Sequence, residues 1–171
     1  MIILTTMEGG RARVQRGVSE EEVKQARAPY WVDFCEPLKE EGALLSSFFH
    51  FHPLAIEDCW EQVNHPKADD YGDTLFLVFH EPRYGDKRFT THEVEFFLQA
   101  QCLVTFHRSK LAQCEAVRGQ LEKRPELLAR GPDFLLYLLL DEIIDTYFPV
   151  MGKLEERIDQ LEDSIVVNPS K

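Results

Sequence analysis

The sequence predicts an α/β domain that runs into one long amphipathic helix, and three observations carry that expectation. Three strong strand patterns, Thr74–His80, His92–Leu98 and Cys102–His107, follow one another and read as an antiparallel meander. Amphipathic helical segments flank them, one with Leu38, Leu44, Leu45 and Phe48 on its apolar side, the other spanning Leu111–Leu121. Apolar residues then recur in strict 3-4-3-4 spacing from Tyr137 through Leu140, Ile144, Tyr147, Met151, Leu154, Ile158 and Leu161 to Ile165. At ~1.5 Å per residue that seam is roughly 43 Å long, more than a domain of this size is wide.

Taken in order, Met1–Thr6 and Arg11–Arg16 read as two short strands around a Glu8-Gly9-Gly10 turn. Ser19 with Glu22 three residues on forms a capping box, which opens a helix to about Arg27. Tyr30–Phe34 is a compact aromatic and β-branched strand. Pro37 sits at a first helical position, and Gly42 weakens the helix behind it. His52-Pro53 starts a short helix ending near Trp60, with His52 placed to cap it. The acidic run Asp69-Asp-Tyr-Gly-Asp73 reads as a polar entry into the next strand, a loop is expected around Pro82–Asp86, and Gln99-Ala-Gln is a tight turn. Gly131-Pro132 punctuates before the last element, so residues 1–130 are expected to form the α/β domain and 131–171 the start of a stalk helix. The first half of that helix is apolar nearly all round and belongs against the sheet. Lys153–Asp163 is apolar only along the seam, which is the pattern of a helix packing on a partner helix. Pro149 must break one backbone bond within it.

The 171 residues are 44% hydrophobic and carry a formal charge of −11, the composition of a globular chain and not of a general nucleic-acid binder. No apolar run approaches the ~20 residues that span a bilayer, and the start lacks the marks of a signal peptide. The charge is concentrated: residues 52–73 carry a net of −5 and residues 141–163 a net of −6, while the remainder balances. Two acidic zones on a neutral body suggest surfaces that attract cations. Cys35, Cys59, Cys102 and Cys114 lack metal or disulfide spacing and read as small buried side chains of a cytosolic chain.

Enzyme signatures are missing: there is no nucleophile elbow, no phosphate-binding glycine loop and no dinucleotide fingerprint. His92-Glu93 begins like a zinc-protease helix, but Phe96 stands where the second histidine is required and the segment alternates as a strand. Asp69–Asp73 lacks the spacing of a calcium loop. His50, His52, His65, His80, His92 and His107 read as caps, turns and strand ends. What remains is Glu57-Asp58 on the short helix and Asp141 with Asp145, one turn apart on the last. Hard carboxylate oxygens suit Mg²⁺, and no electrophile-stabilising or nucleophilic partner accompanies them, so cation binding outranks catalysis.

The same residues resemble a known family. His52-Pro-Leu-Ala-Ile-Glu-Asp58, then Asn64-His-Pro-Lys67 leading to Tyr71 and Leu75–Val78, is similar to the cytoplasmic domain of CorA magnesium transporters. So are Val94–Leu98 followed by Cys102–Phe106, and the blocks Asp133–Tyr137, Leu140–Asp145, Tyr147–Val150 and Lys153–Asp159. Agreement runs from about His52 to Asp163, while the first 51 residues match only loosely.

The resemblance implies an α/β/α sandwich with a mixed, largely antiparallel sheet, followed by a long helix leading to a pentameric pore in the cell membrane. The family's two membrane helices and Gly-Met-Asn signature are not in this sequence, so a soluble fragment of a longer chain is expected, on the cytoplasmic side of the inner membrane. It further implies regulatory Mg²⁺ sites between neighbouring subunits, with Asp58 as principal acid, Glu57 beside it and Asp141 close by; the opposing carboxylate would come from a later part of the stalk. His65 stands where the family often has Arg. By this account Mg²⁺ bridges acids across subunit seams and favours the closed pentamer. A zinc, cobalt or nickel transporting relative is the nearest alternative. A soluble metal-dependent hydrolase and a scaffold dimerising through the helix seam are the others, and no nucleic-acid partner is expected.

Overall fold

The computed structural model describes residues 1–61, 65–85 and 88–167. Asn64, Asp86 and the tail after Val167, which the sequence reading invoked, lie outside them. Seven strands form one mixed sheet in the order β2-β1-β3-β7-β6-β5-β4. They are β1 (Ile2–Glu8), β2 (Arg11–Arg16), β3 (Tyr30–Cys35), β4 (Lys67–Asp70), β5 (Leu75–Gly85), β6 (Arg88–Leu98) and β7 (Cys102–His107). Only β3 and β7 run parallel; the other neighbours are antiparallel, and β4 to β7 are the expected meander extended by one strand. The α/β/α sandwich is therefore observed.

Side-chain alternation sorts the core into two layers. Tyr30, Val32 and Phe34 of β3 face one layer with Phe76, Phe97 and Phe106, under α1 (Glu20–Lys24), α2 (Lys39–Gly42), α3 (Leu44–Ser47) and α4 (Pro53–Trp60). Trp31 faces the other with Val94, Phe96 and Leu103, under α5 (Ala112–Lys123), a 3₁₀ turn (Pro125–Arg130) and α6 (Pro132–Asp145). The Ser19–Glu22 capping box forms, but its helix stops at Lys24, short of Arg27.

Three local expectations are corrected. The segment after Pro37 is two one-turn helices, α2 and α3, and Gly42 at the end of the first lies against the Trp60 indole so closely that a Cβ there would collide with the ring. The acidic stretch is half strand: Lys67–Asp70 pairs with Leu75–Val78, and Asp70 caps the following turn through the Gly72 N–H at 2.8 Å. Pro82–Gly85 continues β5 instead of forming a loop, with Pro82 opposite Thr91. It is tolerated because β4 pairs only as far as Val78, so this end of β5 is an edge that needs no N–H there. The long C-terminal helix is present as expected, running as α6 and α7 (Tyr147–Val167) with Thr146 alone between them. Thr146 keeps helical angles (φ −71°, ψ −19°), so the seam holds its phase across the interruption. Pro149 cannot donate to the Asp145 carbonyl four residues back, and at the joint the Thr146 N–H and hydroxyl both turn to Ile143 O.

Beyond the joint, Tyr147 anchors α7 to the sheet, its hydroxyl donating to His80 O at 2.6 Å. Past Tyr147 the seam residues Met151, Leu154, Ile158, Leu161 and Ile165 are all exposed. Among the described residues no helix is long and apolar enough to cross a membrane.

Candidate functional site

Helix α4 presents the first two expected acids. The His52 ring nitrogen accepts from the Leu54 N–H at 3.3 Å and Pro53 occupies the first turn, which fixes where the helix starts. The His52 ring also stacks on Tyr71 at 4.4 Å, tying that start to the β4–β5 turn. Ala55 and Cys59 are buried, with Ile56 and Trp60 packed beside them, so Glu57 is left exposed and Asp58 half-buried at the rim.

Asp58 is already engaged. Its Oδ2 lies 2.6 Å from the Lys67 ammonium on β4, which also reaches Asp69 at 3.0 Å. The contact to Asp58, and then that to Asp69, raises the Lys67 pKa against the opposing effect of burial. Asp58 Oδ2 is shielded from water yet has no aligned hydrogen bond, so this is an ion pair held by charge. Beneath α4, Glu95 is wholly buried on β6 with neither carboxylate oxygen hydrogen-bonded. Burial first, and then the nearby Glu93, push its pKa well up, which favours its neutral form.

Asp141 does not join this group within one chain. It is exposed on α6, in the layer across the sheet from α4, and Asp145 is exposed one turn further along. The structure thus brings Glu57 and Asp58 together and separates Asp141 from them. His65, the departure from the family pattern, is exposed.

A second charged group is one the sequence reading missed. Asp33 projects from β3 toward α5 and is 1% exposed; His107, Thr105 and Arg118 converge on it. Trp31 Nε1 donates to Thr105 Oγ1 at 3.0 Å, and that hydroxyl donates to Asp33 Oδ1 at 2.6 Å. Arg118 donates to Asp33 Oδ2 and stacks on Trp31, its guanidinium carbon 4.6 Å from the ring centre. His107 Nε2 faces Asp33 Oδ1 at 2.9 Å and Nδ1 faces Ser109 O at 2.7 Å. Both neighbours are acceptors, so the ring must carry two protons. The shifts agree in sign: burial alone would raise Asp33 and lower His107, but their mutual attraction wins, holding Asp33 below and His107 above their ordinary values.

Asp33, His107 and Cys114 bring three ligand atoms within 4.8 Å of one another. They are a poor metal centre. Both His107 nitrogens are donating, the Arg118 cation occupies the same carboxylate, and burial keeps the Cys114 thiol protonated. The group reads as a buried ion-pair network. The one signal for it in the sequence is Asp33 itself, a lone charge inside the apolar strand Tyr30–Cys35. All four cysteines are free, three buried as expected and Cys35 half-buried.

A family model described as CorA-like Mg²⁺ transporter protein matches residues 27–171. The Bacillus subtilis protein YfjQ, named as a metal ion transporter, is 41% identical over 135 residues, which are 79% of this chain and 42% of that protein. The complete structure of the CorA magnesium transporter from Methanocaldococcus jannaschii superposes with a TM-score of 0.73 at 20% identity, over 98% of this chain and 52% of that one. The ZntB cytoplasmic domain from Vibrio parahaemolyticus superposes at 0.70 with 10% identity, over 92% and 63%. The two structures share the fold. The chain spans less than half the length of YfjQ and of the Thermotoga maritima cobalt/magnesium transport protein.

Proposed function

This chain belongs to the CorA-like Mg²⁺ transporter family, and on that premise we propose that it is the Mg²⁺-sensing cytoplasmic part of a pentameric divalent-cation channel at the inner membrane. Residues 1–130 form the sensing body, and 131–171 begin the stalk that leads to the membrane. The observation that carries this reading is the placement of the acids. Glu57 and Asp58 lie on the outer side of one helical layer and Asp141 on the other. One chain cannot bring them to a single ion, but neighbouring copies set side by side can.

In that arrangement the seams between subunits are acid facing acid, and repulsion opposes close packing. Mg²⁺, which keeps most of its waters and takes one or two carboxylates directly, bridges the seam with Asp58 as principal ligand and Glu57 and Asp141 nearby. Ion binding favours the assembled, closed arrangement by its differential affinity for that state and no more. The exposed apolar stripe of α7 supplies the second, ion-independent contact between copies.

The test is sedimentation of this chain with and without millimolar Mg²⁺, beside Asp58→Ala. Assembly that requires Mg²⁺ and weakens in the variant supports an interfacial site with Asp58 as ligand. A mass unchanged by Mg²⁺ in both proteins overturns the site for this chain. Repeating the titration with Zn²⁺, Co²⁺ and Ni²⁺ ranks the cations, and a strong preference for one of these selects the transporter of another metal.

A further inference from the structure

Strands β5 and β6 outrun the rest of the sheet. β4 pairs with β5 only as far as Val78, and β7 with β6 only from Glu95 on. Among the described residues, Phe79–Gly85 and Arg88–Val94 therefore pair with each other alone. A two-stranded ribbon is at best marginally stable by itself in water, so this arm needs support from elsewhere. Its root has it: Arg108 donates to Glu93 Oε2 at 2.5 Å and to Trp60 O, at the last residue of α4, at 3.2 Å. Arg83 adds a bond to Lys110 O at 2.6 Å. The tip, where Tyr84 lies opposite Phe89, reaches instead toward α7.

Helix α7 runs alongside the arm. Near the joint, Tyr147 donates to His80 O at 2.6 Å and sets its ring edge-on to Phe79. Ten residues further, the Arg157 guanidinium lies over the Phe89 ring, 5.7 Å from its centre, and Lys153 between them is within electrostatic range of Tyr84. The two spans match: ten helical residues rise about 15 Å, and the four strand residues from His80 to Tyr84 about 13 Å. Half-buried Val150 joins Lys153 and Arg157 at three- and four-residue spacing, so the arm side of α7 is a single face. The seam residues Met151, Leu154 and Ile158 each follow one of these by one position, about 100° round the helix, and stay exposed. The two ends of the contact differ. Tyr147 is half-buried, whereas Arg157 and Phe89 are both exposed.

We propose that the β5–β6 arm is a latch for the stalk. Closed, it fixes the direction in which α7 leaves the body and the side on which the seam is offered to another chain. Opening begins at the tip, where one solvent-exposed cation–ring contact parts, and α7 then swings and turns about Thr146 while Tyr147 still holds. The latch uses none of the acids of α4 and α6 and rests on no part of the Mg²⁺ reading.

The experiment measures electron–electron spin distances in this chain without Mg²⁺, between labels at Ala100→Cys on the body and Glu162→Cys on the stalk. The background is Cys35→Ser, and labelled chain is diluted with excess unlabelled chain so that only distances within one molecule are read. Wild type should give one narrow distribution. Phe89→Ala and Arg157→Gln, both at exposed positions, should each broaden it without changing the melting temperature, and the double variant should be no broader than either, because the two side chains form one contact. Glu156→Gln removes the partner of Lys153 on α7 and should leave the distribution narrow. Amides of the arm from Arg83 to Gly85 and from Arg88 to Thr91 should exchange several-fold faster in Arg157→Gln, since the support is mutual. A distribution already broad in wild type, or equally narrow in both variants, overturns the latch. So does broadening in Arg157→Gln alone, which would report fraying of α7.

Discussion

Lys67 on β4 holds its ammonium 2.6 Å from the Asp58 carboxylate on α4, so the principal acid of the proposed sensor already carries an internal cation. Any ion that binds Asp58 must displace this lysine or share the carboxylate with it. Both side chains are partly solvated, and pairs of this kind are worth about 0.2–1 kcal/mol. Lys67→Met should therefore lower the Mg²⁺ concentration at the midpoint of assembly by up to about fivefold. A midpoint that rises or stays fixed in sedimentation titrations would separate Asp58 from the ion.

The buried acid beneath α4 makes a prediction about pH. Burial and Glu93 disfavour the charge of Glu95 in the folded chain, whereas the unfolded chain ionises it near pH ~4.3. Above that pH the folded state binds more protons than the unfolded one, so stability falls as pH rises. Glu95→Gln keeps the shape and removes the titration. Its urea midpoint should match wild type near pH ~4 and exceed it by a margin that widens as pH rises above that. Parallel curves for the two proteins would show that Glu95 is ionised in the fold.

Asp33 stands between two buried cations, and removing its charge strands both. Asp33→Asn should cost about 3–5 kcal/mol, the range for breaking a buried pair, seen as a fall in melting temperature of about 10 °C. A loss below about 1 kcal/mol would mean that water reaches the network. The pH signs of its members differ. Asp33, held low, contributes stability that is lost as pH falls below ~3.9 toward its folded value. His107, held high, contributes stability that is lost as pH rises from ~6.5 through its folded value. His107→Gln should flatten the alkaline limb of the stability curve and leave the acid limb in place.

What the chain reveals by itself follows the range of the forces involved. The Ser19–Glu22 box and the His52 cap are contacts across two or three residues, and both are legible in order of sequence. The apolar period from Tyr137 to Ile165 is legible for the same reason. Strand β4 is not, because Lys-Ala-Asp-Asp has little strand preference of its own and is held by pairing with Leu75–Val78. Pro82 signals a turn, yet the free edge of β5 absorbs it. The acids on α4 and α6 stand out in the sequence, but Lys67 as partner of Asp58 does not, nor does the sheet that separates Asp58 from Asp141. The network at Asp33 draws on residues 74 and 85 positions away, and no local pattern encodes such a meeting.

Pro149 sets where the stalk can bend. Its missing N–H frees the Asp145 carbonyl, and the helical hydrogen-bond ladder breaks at Thr146, one residue before Tyr147 grips His80 O on β5. The joint therefore lies where the helix leaves the sheet, between a rigid half and an exposed half. Pro149→Ala supplies the N–H and removes the ring that crowds the carbonyl, so α6 and α7 should fuse into one helix. Hydrogen exchange would report this as protection of the amide gained at the substituted position and slower exchange at the amides on either side of Thr146. The acids of α6 and the apolar seam of α7 would then move as one body. If the joint transmits ion binding along the stalk, the variant should assemble with a weaker dependence on Mg²⁺ than wild type. Unchanged exchange around Thr146 would instead place the cause of the break in the Tyr147 anchor, and Tyr147→Phe would be the substitution that closes it.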